Sequence, residues 1–249
     1  YNKFFKNYTR KQWARDPAEL DASVCGRIPI RTNRDDRYLS ERFQALPAAG
    51  YTVMFEKILR RRRIDVVLGE DYREVEAHIE YDKLIYTGSI DAYYNFCFGE
   101  LPYRTLRFAH QTVETDYLLP QMQVNYPNDF EFTRAVEIKH ATGQKLPYTT
   151  IVREYPQEYR PGLEPYYPVP CPKTKVVYGR YAHLAKREPK VHFVGRLARY
   201  RYYNMDQVVA MALGEAEEII GRQKADPVRK RTTNARSRSS AGRHPSLAS

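Results

Sequence analysis

Long apolar runs are missing from this sequence. No stretch of its 249 residues approaches the roughly 18 apolar residues that a membrane-spanning helix needs. Cysteine is scarce. Cys25, Cys97 and Cys171 stand far apart without a CxxC pair, which argues against a disulfide framework or a zinc site and makes a reducing cytoplasm the default compartment. No HExxH, P-loop or Ser-His-Asp signature occurs, and the six histidines are scattered, so none is assigned to catalysis and no metal is expected. Also absent are internal repeats, a signal-type leader and any GxGxxG turn of the kind that cradles a dinucleotide. With Tyr1 at its start, the chain reads as a fragment of a longer protein.

Tyrosine, by contrast, is abundant. The 22 tyrosines combine an apolar plate with a hydroxyl tip, suited to stacking on bases, to binding phosphates or to plain sheet packing. Hydrophobic residues make up 42% of the chain, enough for a sizeable core in one or two domains. The net charge is +11, but +5 of it lies in the last 24 residues, where six Lys or Arg stand against one acid. The body is therefore only mildly basic. It suits a small anionic substrate and does not call for nucleic acid.

Along the chain, residues 1–24 read as helical, with Asp16 capping a short helix that opens at Pro17. Short strands are expected over 26–34, 37–44, 64–68 and 83–86, and a helix over about 53–61 ends in the basic run Arg60–Arg63. From about Tyr93 to Val177, short aromatic-rich strands broken by Pro, Gly and Asn point to an antiparallel sheet. A helix is expected over 178–186, and the residues from 223 on have the composition of a disordered basic tail.

The stretch Lys190 to Leu213 organises the rest. Val191–Val194 alternates as a strand, Gly195-Arg196 turns at its carboxyl end, and Asn204 caps a helix carrying Val208, Val209, Met211, Ala212 and Leu213. A guanidinium beside a helix amino terminus suits a phosphate or an electron-rich cofactor edge. An ordinary βα unit with solvated arginines fits the same residues.

Six pieces in order carry a family resemblance: Tyr8–Trp13, Arg27–Arg31, Gly50-Tyr51-Thr52, Tyr86-Thr87-Gly88 with Ile90-Asp91, Glu164–Val169, and Gly195-Arg196-Leu197. Together they resemble UDP-galactopyranose mutases from about Phe4 to about Ile220. The resemblance implies FAD in its reduced form and interconversion of UDP-galactopyranose with UDP-galactofuranose through a flavin N5–sugar adduct. The furanose would serve cell-wall or surface polysaccharide synthesis. The family's GxGxxG lies before the region matched.

By resemblance, Phe4, Phe5 and Tyr8 line a uracil pocket, and Thr9 and Trp13 face the nucleotide and sugar. Arg27 and Arg134 clamp the diphosphate, and Tyr38, Tyr167 and Tyr202 donate hydroxyl hydrogen bonds to it. Asn125 lies near the sugar, although its spacing to Arg134 is one residue short of the family pattern. Arg196, Tyr202, Tyr203, Asn204 and Met205 contact the flavin, and Arg27, Arg134 and Arg196 are the catalytic set. Two departures stand out: Asn204 replaces a usual aspartate, and Ala14 a usual glycine.

The expected fold is mixed α/β. An incomplete Rossmann-like FAD-binding domain (45–92 and 187–222) joins an antiparallel-sheet substrate domain (26–44 and 93–186) and the end of a helical domain (1–25), before the tail at 223–249. The expected partner is UDP-galactose, with no nucleic acid or membrane; a homodimer is compatible with the resemblance. Alternatives are a flavin-dependent oxidoreductase of amine-oxidase-like fold and an inactive fragment that binds UDP-sugars.

Overall fold

The structure is a computed structural model that describes residues 1–24, 26, 31–35, 37 and 40–225. It is a mixed α/β architecture, with two sheets among the described residues. The larger is antiparallel, with strands in the order β3-β4-β5-β2-β6: β2 is Tyr103–Val113, β3 Gln123–Asn125, β4 Arg134–Val136, β5 Thr149–Glu158 and β6 Tyr167–Pro168. Its spine is the β2–β5 ladder, which runs without a break from Arg104 opposite Glu158 to Val113 opposite Thr149. Pro156 is tolerated in β5 because β4 pairs only with Val152–Glu154 and no described strand lies on that side at Pro156. The smaller sheet pairs β1 (Leu84–Tyr86) in parallel with β7 (Val191–Phe193).

Among the described residues the α-helices are α1 (Asn7–Trp13), α2 (Gly50–Leu59), α3 (Tyr72–Val75), α4 (Ile90–Tyr93), α5 (Lys139–Thr142), α6 (Pro172–Ala185) and α7 (Met205–Ala225). A π-turn over Asn2–Lys6 leads into α1, and Asp16 caps a 3₁₀ turn opening at Pro17, as its sequence predicts. None of the described helices is long and apolar enough to cross a membrane.

The main core lies between the parallel pair, α4 and α6. Ile90, Leu101, Tyr103, Tyr181, Val191, Phe193, Ala198 and Tyr200 are buried together there. Two of its tyrosines explain part of the tyrosine excess. Tyr181 accepts from the Phe98 N–H at 3.0 Å and donates to the Gly99 carbonyl at 2.7 Å; Tyr200 accepts from Val169 N–H at 3.2 Å and donates to the Pro102 carbonyl at 2.5 Å. Their plates fill the core while their hydroxyls satisfy loop backbone that would otherwise be buried unpaired.

Several elements differ from the sequence expectation. Residues 64–68 form no strand; Val66, Val67 and Leu68 are exposed, because no described neighbour offers a ladder. The expected strands at 26–34 and 37–44 fall partly outside the described residues, and the described ones there are turns, bends and coil. Helix α2 starts at Gly50, three residues early. Helix α6 starts at Pro172, six residues early, because Cys171 and Thr174 form a reciprocal capping box and Pro172 occupies the first helical position. Helix α7 continues to Ala225, into what reads as tail; residues 226–249 lie outside the described set.

Ala14 ends α1 in the left-handed conformation, φ 51° and ψ 34°, with its N–H bonded to the Arg10 carbonyl. That geometry suits the glycine that the resemblance leads one to expect there, since a Cβ in this conformation costs about 1 kcal/mol. Ala14→Gly is therefore expected to stabilise the protein by about 1 kcal/mol, read as a higher denaturation midpoint; an unchanged or lower midpoint would contradict this.

Candidate functional site: an aromatic cluster with two arginines

Four parts of the fold converge on one cluster. Helix α1 contributes Tyr8 and Trp13, strands β4 and β5 contribute Arg134 and Glu154, β6 contributes Tyr167, and the segment after β7 contributes Arg196 and Tyr202. Trp13 meets Tyr167 edge-on at 6.0 Å between ring centres and Tyr202 at 5.9 Å, and those two tyrosines meet at 5.1 Å. Trp13 and Tyr167 are buried with Val169, and Tyr202 packs against them.

Arg134 is held at one side of this cluster. Its Nη2 donates to the Tyr8 hydroxyl oxygen at 2.9 Å, and its Nε lies 3.0 Å from Glu154 Oε2, an ion pair off the line of a good hydrogen bond. Burial works against the Arg134 charge, but the oxygens of Tyr8, Glu154, Tyr167 and Tyr202 outweigh it and hold its pKa above the ordinary value. Burial also raises the phenols of Tyr8 and Tyr167, so both remain protonated donors at neutral pH. Because Arg134 donates to Tyr8, the Tyr8 hydroxyl proton stays available to a ligand.

Arg196 is fixed differently. Nε and Nη2 donate to the Tyr203 carbonyl at 3.1 and 2.6 Å, and Nη1 donates to the Tyr166 carbonyl at 3.0 Å. Its guanidinium carbon lies 4.7 Å from the Tyr202 ring centre and 5.7 Å from that of Tyr167. Backbone carbonyls thus set its orientation, and rings favour its charge without neutralising it. Just before it Gly195 has φ +98°, and a Cβ there would meet nothing within 4 Å. Gly195 is itself buried, but it leaves room for a side chain at the carboxyl end of a parallel strand, the end where α/β folds bind their ligands.

A family model described as UDP-galactopyranose mutase matches residues 3–202. The chain belongs to the UDP-galactopyranose mutase family. It is 36% identical over 221 residues to a "Probable UDP-galactopyranose mutase" of Klebsiella pneumoniae, covering 88% of this chain and 57% of that one. It is 33% identical over 231 residues to the dTDP-fucopyranose mutase of Escherichia coli, covering 90% and 61%. A crystal structure of reduced UDP-galactopyranose mutase shares the fold, with a TM-score of 0.66 at 15% identity, covering 88% of this chain and 64% of that one. The chain thus spans less than two-thirds of the length of these relatives.

Of the residues that the mutase resemblance singles out, the fold gathers Tyr8, Trp13, Arg134, Tyr167, Arg196 and Tyr202. Asn125 joins them from β3, opposite Arg134 in the ladder, and accepts from Gln123 Nε2 at 3.3 Å. Thr9 is buried, Phe5 is half-buried and Phe4 is 69% exposed. Tyr203 supplies the carbonyl that Arg196 grips, and Met205 is exposed. Asn204 precedes α7 as expected: its N–H donates to Gln207 Oε1 at 2.9 Å and its carbonyl accepts from Val208 N–H at 3.1 Å. Arg27 and Tyr38 lie outside the described residues.

Two polar residues of the site escape sequence reasoning. Glu154 reads as one charge among several in a strand, and only the long-range register that sets it opposite Arg134 reveals its role. Arg104 is 8% exposed and donates from Nε to the Gln12 carbonyl at 3.0 Å, tying β2 to α1. Burial lowers its pKa, partly offset by Glu158.

Proposed function

We propose that this chain forms the nucleotide-sugar-facing part of a UDP-galactopyranose mutase that interconverts UDP-galactopyranose and UDP-galactofuranose. The observation that carries the reading is the pairing of Arg134 with Tyr8, beside Tyr167, Tyr202 and Trp13. It offers a fixed guanidinium, phenol donors held protonated and flat rings in one place, as a diphosphate joined to a base and a sugar requires. In this reading Arg134 and Arg27 grip the diphosphate while Tyr8, Tyr38, Tyr167 and Tyr202 donate to its oxygens. Phe4 and Phe5 face the base, Thr9, Trp13 and Asn125 the nucleotide and sugar. Residues 26–44 and 93–186 would then form the substrate domain, 45–92 and 187–222 part of a cofactor domain, and 1–25 the end of a helical one, in a cytoplasmic enzyme.

The residues around Gly195 fit the isoalloxazine end of FAD. The space left at Gly195, the carbonyl-locked charge of Arg196, Tyr202, Tyr203, Asn204 and exposed Met205 would hold it. Reduced flavin, when bound, supplies a nucleophile toward the sugar's anomeric carbon. The chain's own task is then positioning and charge neutralisation, consistent with a cluster that holds arginines and phenols rather than a carboxylic acid–base pair.

The test is conversion of UDP-galactopyranose by the full-length enzyme reduced with dithionite. The kinship to a dTDP-fucopyranose mutase adds a second arm, dTDP-fucose, whose base gains a methyl and whose sugar lacks a hydroxyl. A site that hydrogen-bonds that hydroxyl discriminates strongly against its loss. Preferential turnover of UDP-galactose supports the reading; preferential turnover of dTDP-fucose would move it to the other substrate.

Asn204 gives a further expectation. As a helix cap it serves about as well as aspartate, and a full negative charge beside a flavin that becomes anionic brings no benefit. Asn204→Asp is expected to change turnover by less than about tenfold, or about 1.4 kcal/mol. A larger gain would show that the charge itself is needed.

A further inference from the structure

Strand β7 places a histidine between two core residues. Val191 and Phe193 face the main core, so His192 points to the opposite face of the strand, where it meets α7. His192 Nδ1 lies 2.5 Å from Glu215 Oε1, and Arg199 Nη2 approaches Glu215 Oε2 at 3.6 Å. The His192 and Glu215 side chains are only 10% and 17% exposed, and His192 Nε2 is buried without a hydrogen-bond partner.

A carboxylate is an expensive residue to place there. Helix α7 turns only a narrow stripe toward the molecule, Val208, Met211, Glu215 and Ile219, all half-buried. Its other large apolar residues, Met205, Val209, Leu213 and Ile220, are 65%, 56%, 62% and 51% exposed among the described residues. A charge in the middle of that stripe costs desolvation unless a partner holds it, and an apolar residue would pack more cheaply. The pair therefore fixes a register and an angle that apolar contact alone would leave loose.

What it fixes is the turn between its members. Residues 192 and 215 close a loop of chain that contains Gly195, Arg196, Tyr203 and Asn204. Within it, the Gly195 N–H meets Met211 Sδ at 3.4 Å, and Arg196 grips the Tyr203 carbonyl, two residues before α7 begins. The direction of α7 sets the Tyr203 carbonyl, and that carbonyl sets the Arg196 guanidinium. We propose that His192 and Glu215 are positioning residues that latch α7 onto β7 and thereby hold Arg196 in place. The inference rests on the reading of Arg196 as the fixed charge of the ligand site.

Glu215 selects the tautomer with the proton on Nδ1, and the side-chain amide of asparagine can present a donor in its place. Hydrogen exchange on the full-length protein tests the latch without any ligand. The amides of Arg199, Tyr200 and Arg201, bonded to the carbonyls of Gly195, Leu197 and Arg196, are the reporters, with β2 and β5 as internal reference. His192→Val and Glu215→Ala are expected to speed exchange in the 195–203 segment at least tenfold while β2 and β5 stay protected, and His192→Asn is expected to restore protection. If His192→Val also exposes β2 and β5, Glu215→Ala carries the test. Unchanged exchange in the turn, or His192→Asn exchanging as fast as His192→Val, would overturn the proposal. Because no ligand is needed, a protein that keeps the latch but converts no nucleotide sugar would sink the functional reading alone.

Discussion

Arg134→Ala is expected to lower turnover of the full-length enzyme by roughly 30- to 4,000-fold, equivalent to about 2–5 kcal/mol. The loss has two sources. The diphosphate would lose a charge-assisted grip, and Tyr8 would lose the donor that directs its hydroxyl. Glu154 would also be left half-desolvated without its cation; burial already pushes its carboxyl up, and only Arg134 opposes that. Arg134→Lys separates these effects, since it keeps a charge near Glu154 but loses the planar fork. It should recover stability more fully than turnover. Steady-state kinetics beside thermal denaturation would check this, and turnover of Arg134→Ala within a few-fold of wild type would remove Arg134 from the site.

The second large effect is on stability. Glu137 is fully buried and accepts from the N–H groups of Leu118, at 3.1 Å, and Leu119, at 2.7 Å, and from the Thr149 hydroxyl at 2.5 Å. Two residues on, Lys139 donates to the carbonyls of Asp116, Leu146 and Tyr148 at 2.8, 2.5 and 3.2 Å. The two side chains thus fasten the 116–119 and 146–149 loops to the end of β4. Glu137→Ala would leave several donors short of partners and is expected to cost about 2–4 kcal/mol. In a chain of this size that lowers the melting temperature by roughly 4–16 °C. A drop of under 2 °C would show that water replaces the carboxylate.

Glu137 also makes a pH prediction. Burial alone would raise its pKa, but the bonds from Thr149, Leu119 and Leu118, with His140 beside it, outweigh burial and depress the folded value below the ordinary 4.5. A depressed folded pKa gives a stabilisation that is fully present above the unfolded value and is lost as pH falls through the folded one. Glu137→Gln should therefore flatten the acid limb of the stability profile below about pH 4.5. An acid limb identical to wild type would assign that sensitivity to other carboxylates.

How much of this was legible in the sequence depends on the range of the interaction. Local chemistry read well: Asp16-Pro17 starts a turn, Asn204 precedes a helix, and Val191–Phe193 is a strand. Residues 64–68 have the apolar character of a strand but no described partner to pair with, and a strand exists only through its ladder. The start of α6 was hidden because its cap is a cysteine rather than Ser or Asp. In the site, the aromatic and arginine positions were visible through family resemblance. Glu154, Arg104 and the His192–Glu215 pair were not, because each owes its role to a residue at least 20 positions away that only the folded register brings close.

The aromatic–arginine cluster is expected to act on a nucleotide sugar. The most direct measurement follows UDP-galactofuranose and UDP-galactopyranose by chromatography with the full-length enzyme, in oxidised and dithionite-reduced form, beside the Arg134→Ala variant. Interconversion in the reduced form only, without net consumption of reductant and strongly reduced in the variant, is the predicted result. Flavin reduction driven by the substrate without isomerisation would contradict it and point to an oxidoreductase instead.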